Sequence, residues 1–175
     1  PHIARNTRLL IELNRSPHHP RLFSALTRDL PGEERARIIA EHWQPHRSAV
    51  EREIDGHLRS GRRVVHIAAH SFTPVLDGEV RQADVGLLYD PRRSVERDLC
   101  IRVGAHLRNR ASGSPLRVRR NYPYLGTADG FTTWLRRRCG TGYCGVEVEI
   151  NQARLTDRRE AREIRRRVVD ALVAC

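Results

Sequence analysis

Residues 145–150 read GVEVEI. Val146, Val148 and Ile150 alternate with Glu147 and Glu149, the two-residue period of a β-strand with one apolar face. Both carboxylates then share the opposite face. On an edge strand such a face is simply solvated, whereas on a central strand a carboxylate needs a partner or a task. Outward from this segment, RLLIEL at 8–13, RVVHIAA at 63–69, VGLLY at 85–89 and PLRVR at 115–119 are the other apolar runs of strand length. Helical spacing fills the gaps. Ala36, Ile39 and Trp43 share one face over 33–43, where Pro45 is expected to break or kink the helix. Val50, Ile54 and Leu58 carry a second helix over 46–59, stopped by Gly61. Val95, Leu99, Val103 and Leu107 mark a helix over 94–109, and a short one is predicted over 129–138. The last runs from a Thr156 cap to about Val173, with Ala161, Ile164, Val168 and Leu172 inward. HSFTPVLDGEVRQAD and NYPYLGTADG read as loops.

Strands alternating with helices predict an α/β fold: three layers, α/β/α, around a mixed, mostly parallel sheet. A chain of 175 residues fits one domain with its own core, and 1–175 is read as one. In such sheets, sites form beyond the carboxyl ends of the strands. Asn14, Arg15, His70 and Asn121 are expected there.

The net charge is +11, yet all 32 basic residues are Arg and none is Lys. That uniformity reads as coding bias. The arginines are dispersed, and aromatics, at 5%, form no stacking array, so specific nucleic-acid binding is not expected. Non-specific attraction to polyanions is. No run approaches the ~18 apolar residues of a membrane span, and no signal-peptide pattern opens the chain. The absence of any Met, an initiating one included, points to a fragment or processed product. Cys139 and Cys144 flank Gly-Thr-Gly-Tyr, a spacing unlike the common zinc knuckles. They read, with Cys100 and Cys175, as reduced thiols of a cytoplasmic protein, a Cys139–Cys144 disulfide being the alternative.

Several polar residues could carry chemistry. His70 ends a strand, where a neutral imidazole can ligate zinc or simply cap the strand. His66, four residues earlier, reads as a core histidine. Glu147 or Glu149 could act as a base toward water. Arg15 follows Asn14, and its planar fork suits a carboxylate. Arg81 and Asp84 form either a buried ion pair or a second substrate clamp. Asn121, Tyr122 and Tyr124 offer an amide and two phenols beside a proline. The adjacent His18 and His19 point apart in an extended chain and read as loop residues.

TRLLIELNRSPHHPRLFS, HSFTPVLDGEVRQADVGLLYD, RRNYPYLGTADGFT and GVEVEINQARL, in that order over nearly the whole chain, resemble the N-formylglutamate amidohydrolase family. That family looks like a relative of the zinc carboxypeptidases. The resemblance implies a zinc-exopeptidase-like, phosphorylase/hydrolase-like fold and one Zn2+ per subunit. His70 would be a zinc ligand. Glu149 would be the general base, preferred to Glu147 because its VEI aligns with the carboxypeptidase strand. Asn14 and Arg15 would hold the substrate α-carboxylate. Arg81 would take a second carboxylate or the developing oxyanion, with Asn121 also binding the substrate and Tyr124, ahead of Tyr122, covering it. The family's first two zinc ligands, a His and a Glu, precede the segments seen here, which implies an N-terminally truncated domain lacking its first strand or strands and two metal ligands. The implied reaction is hydrolysis of N-formyl-L-glutamate to formate and L-glutamate in histidine degradation, with a small anionic acyl amino acid as substrate and no membrane partner. A deacylase or carboxypeptidase-like hydrolase of another acidic amide, and a non-catalytic ligand-binding homologue, are the alternatives. The oligomeric state is not legible.

Overall fold

A computed structural model describes residues 1–4, 6–109 and 115–175. The chain divides into two compact units, residues 1–64 with 129–143, and residues 65–128 with 144–175.

The first unit is helical. α1 (Gly32–Ile38) runs into a π-helical turn, Ile39–Trp43, and on into α2 (Gln44–Arg59). Pro45 therefore neither breaks nor ends the helix. Proline lacks an N–H and crowds the carbonyl a turn back. The wide π turn just before it absorbs that misfit, with the Gln44 N–H bonding back to the Ile39 carbonyl. Gly61 follows the helix end with φ +75°, the left-handed conformation that favours glycine. α4 (Phe131–Cys139) packs Phe131 and Leu135 against Val50 and Ile54 of α2 and against Tyr143.

Residues 8–13 do not form the expected strand. The segment turns, with Leu10 N–H bonded to Thr7 and Arg15 N–H to Glu12. Ile11 and Leu13 are still buried, in a cluster with Leu22, Ile38 and Trp43. The alternation was a burial pattern without a ladder: the segment meets a distant part of the backbone through Glu12 N–H to Leu22 O, 2.8 Å, with no strand pairing among the described residues.

The second unit holds the sheet. Its strands are β1 (Val64–Phe72), β4 (Val85–Leu88), β5 (Val118–Arg120) and β6 (Tyr143–Asn151), in the order β1-β6-β4-β5. β4 runs parallel to β5 and antiparallel to β6, so the sheet is mixed. The α/β class with a mixed sheet and flanking helices is as expected. Within the predicted 70–84 loop lies a small hairpin, β2 (Val75–Leu76) and β3 (Glu79–Val80). Asp77 and Gly78 turn it with φ +51° and +80°, the Asp-Gly signature of a tight hairpin.

α3 (Ser94–Arg108) and α5 (Arg158–Val173) share one core with Val85, Leu87, Val118, Val146 and Val148. α5 is capped by Asp157, which accepts from Glu160 N–H, rather than by Thr156. At the other end of this core Glu96, fully buried, accepts from the Asp90 and Gly145 N–H groups and pairs with Arg93. Among the described residues, none of the four cysteines is in a disulfide.

Candidate active site

The core assignment fixes which face of the sheet each β6 side chain occupies. Val146 and Val148 turn toward α3 and α5. Glu147 and Glu149, alternating with them, lie on the other face. β6 stands between β1 and β4. The carboxylates are accordingly 7% and 5% exposed, a central-strand burial and not a solvated edge.

The register extends this face. Gly86 pairs with Glu149, and Leu88 with Glu147. On β1, Ile67 packs against the helix-side core. His66 and His70 therefore share the carboxylates' face. The His70 Nε2 lies 3.8 Å from the Glu147 carboxylate. His70 is not terminal, because β1 continues to Phe72. β1 is also less buried than a core strand: its position at the sheet edge leaves Val65 59% exposed.

Gly86 has a local purpose. A Cβ built there would lie 2.0 Å from the Tyr122 carbonyl oxygen and 3.3 Å from the Glu149 Cβ. Only glycine lets the loop after β5 close over the strand at this point. Asn121 anchors that loop. Its backbone has φ +49°, its N–H bonds Leu87 O, and its Oδ1 accepts from the N–H groups of Tyr89 (3.0 Å) and Gly126 (3.2 Å). The Tyr122 hydroxyl accepts from Gln82 N–H at 2.9 Å, while the Arg119 guanidinium lies over its ring, 4.4 Å from the centroid.

The same loop presents Tyr124 to Arg81. Arg81 Nη1 donates to the Tyr124 hydroxyl at 3.0 Å, and its guanidinium sits 5.0 Å from that ring and 5.9 Å from the Phe72 ring. Arg81 is 9% exposed. It does not pair with Asp84. That carboxylate takes Arg117 through both guanidinium and backbone N–H, and Arg154 at 3.0 Å. Burial alone would raise the Asp84 carboxyl, but these hydrogen bonds outweigh it and hold the group below its ordinary range. The expected Arg81–Asp84 ion pair is therefore not formed: Asp84 pairs with Arg117 and Arg154, and Arg81 is a buried cation facing a phenol.

Asn14 and Arg15 belong to the first unit. The Asn14 Oδ1 caps α4, accepting from Phe131 N–H at 2.7 Å. Arg15 Nη1 donates to Asp129 O at 2.6 Å, and Ser16 N–H to the Asp129 carboxylate at 3.0 Å. Among the described residues, no strand precedes this pair. It is held instead by the start of a helix. Arg47 and Gly86 were missed in the sequence. A glycine inside a strand-like run was a usable signal for Gly86. In an all-Arg chain nothing distinguishes Arg47.

Among the described residues, no group of three or more His, Cys, Asp and Glu side chains could hold a metal. His70 and Glu147 supply one imidazole and one carboxylate, short of the three protein ligands a catalytic zinc takes. The donor set described here does not make a zinc site. Among the described residues, no helix is long and apolar enough to cross a membrane.

A sequence model of the N-formylglutamate amidohydrolase family matches residues 3–156. Comparison with curated proteins found no match. Among solved structures, a gene product of Agrobacterium tumefaciens is 28% identical with a TM-score of 0.73, over 97% of this chain and 69% of that one. An N-formylglutamate amidohydrolase from Ralstonia eutropha is 20% identical with a TM-score of 0.67, over 95% of this chain and 72% of that one, a likeness of fold.

Proposed function

Because the chain belongs to the N-formylglutamate amidohydrolase family, we propose that it hydrolyses N-formyl-L-glutamate to formate and L-glutamate, a step suited to the breakdown of histidine in the cytoplasm. The observation that carries the reading is Glu149, a 5%-exposed carboxylate on a central strand, on the face opposite the α3 and α5 core.

In this mechanism water attacks the formyl carbon while Glu149 takes a proton from it. The carbonyl oxygen becomes anionic in the tetrahedral intermediate. A buried guanidinium stabilises such charge well, because little water competes for it. Collapse breaks the C–N bond, and the proton held on Glu149 passes to the departing amine of glutamate. His70, 3.8 Å from Glu147, is the imidazole proposed as a metal ligand. Since the donor set described here falls short of a zinc site, no step is routed through zinc.

Arg81 is assigned to the substrate's second carboxylate or to the oxyanion, with Tyr124 as its cover. Tyr124 is 42% exposed and already meets Arg81, as a lid residue would. Asn121 fixes the loop on which Tyr124 rides. In the first unit, Asn14 and Arg15 are assigned to the α-carboxylate. Arg15 keeps further donors in its five-donor fork beyond the one used on Asp129.

N-formyl-L-glutamine tests the assignment of Arg81 to the second carboxylate, since it lacks only that charge. The kcat/KM preference for N-formyl-L-glutamate over N-formyl-L-glutamine is expected to shrink on the order of a hundredfold in Arg81→Met. An unchanged preference would remove Arg81 from carboxylate recognition. The second reading, a ligand-binding homologue without catalysis, is favoured by the incomplete metal-donor set. It requires L-glutamate binding with no turnover.

A further inference from the structure

Arg47 projects from α2 and is 3% exposed. Its guanidinium lies 3.9 Å from the ring centroid of Phe131, 4.5 Å from that of Trp43 and 5.5 Å from that of Trp134. Its hydrogen bonds go to backbone carbonyls: Nη1 donates to Leu13 O at 3.5 Å and to Arg15 O at 3.4 Å. Trp43 Nε1 donates to the same Arg15 carbonyl at 3.0 Å. Burial brings the Arg47 pKa down to about 10, against the opposing pull of Glu51 and Asp129, so it stays charged at neutral pH.

A buried cation held by ring faces and carbonyls is costly unless it secures something. What it secures here are the peptide groups on either side of Asn14. The contacts close a circuit. Arg47 grips Leu13 O and Arg15 O, and it stacks on Phe131. Phe131 N–H holds the Asn14 Oδ1, and Arg15 and Ser16 hold Asp129. Every member lies in the first unit.

We propose that Arg47 is a positioning residue: by fixing the carbonyls of Leu13 and Arg15 against an aromatic cage, it sets how Asn14 and Arg15 present their side chains to the carboxylate of an acyl amino acid. This rests on the reading of Asn14 and Arg15 as a carboxylate clamp and adds what keeps that clamp in shape. Arg47 itself touches no substrate.

Hydrogen exchange reads the positioning without a ligand. In Arg47→Met, the Phe131 and Ser16 amides are expected to exchange about tenfold faster, while mid-α2 amides keep their rates. Titration with L-glutamate reads the consequence: the dissociation constant rises on the order of tenfold, since small misplacements of binding groups are expensive. Arg47→Lys keeps a cation over the rings and at least one donor, and so recovers part of both effects at an unchanged thermal midpoint. Should Arg47→Met fail to fold, Arg47→Lys carries both readouts as an intermediate loss. Unchanged exchange at Phe131 and Ser16 in a folded variant would overturn the proposal. Equal losses in both variants with lowered thermal midpoints would overturn it too, marking Arg47 as a packing residue. Failure of the clamp reading shows separately: Arg15→Ala then binds L-glutamate as well as the parent protein does, and the functional half of the proposal falls while the exchange result stands.

Discussion

At the scale of single residues, the polar groups of the second unit sort by what meets them. Asp84 is buried at 1% exposure and accepts from Arg117 and Arg154. A carboxyl held low in the fold contributes stability that is fully present above its unfolded pKa of about 3.9 and is lost as pH falls through the lower folded value. Asp84→Asn is therefore expected to cost ~1.5–3 kcal/mol at neutral pH. Thermal melts between about pH 5 and about pH 2 should show the gap between parent and variant closing with acid. Parallel curves would mean that Asp84 is not held low. Arg81 and Asp84, three residues apart in VRQADVG, show the limit of a linear reading. Their types announced a buried charge, but which charges meet is decided by β5 and by the turn after β6, far along the chain. Glu147 and Glu149 were legible because period-2 alternation states a face directly. Their burial depended on the central place of β6, which no local pattern encodes.

Among elements, GVEVEI, VGLLY and the helices at 94–109 and 156–173 were readable because periodicity and core burial agree there. RLLIEL had the same apolar density, but it finds its core through Leu22, Ile38 and Trp43 rather than through strand pairing. Pro45 misled for a related reason. A proline breaks a regular α-helix, and the chain avoids the break with a π turn. The loop at 121–126 is the element on which the proposed site depends, and Gly86 is its seat. Gly86→Ala would place a methyl 2.0 Å from Tyr122 O. It is expected to destabilise by ~1–3 kcal/mol and to raise KM by moving Tyr124. Gly56→Ala is the matched control: nothing lies within 4 Å of its added Cβ, and an exposed helical Gly→Ala change stabilises by roughly 0.5–1 kcal/mol. Thermal midpoints that move alike in the two variants would show that the loop does not rest on Gly86.

For the molecule as a whole, family and fold class were legible in segments spread over nearly the full length. The division into two compact units was not, since residues 129–143 join the first unit after a long excursion through the second. The net charge of +11 acts at this scale, its arginines spread over both units. Binding to heparin or DNA is expected to weaken steeply with added salt, and His70→Ala should leave it unchanged. Salt-insensitive binding, or loss with His70, would point to a specific anion site instead. The central claim is that Glu149 moves the proton in hydrolysis of a formyl amide. Its most direct test is simultaneous quantification of formate and L-glutamate released from N-formyl-L-glutamate, with and without added zinc, by the parent protein, Glu149→Gln and Glu147→Gln. The account predicts equal amounts of the two products from the parent, a fall on the order of a thousandfold in Glu149→Gln, and a smaller loss in Glu147→Gln. Undiminished release by a folded Glu149→Gln variant, or no release by the parent under either condition, would contradict it.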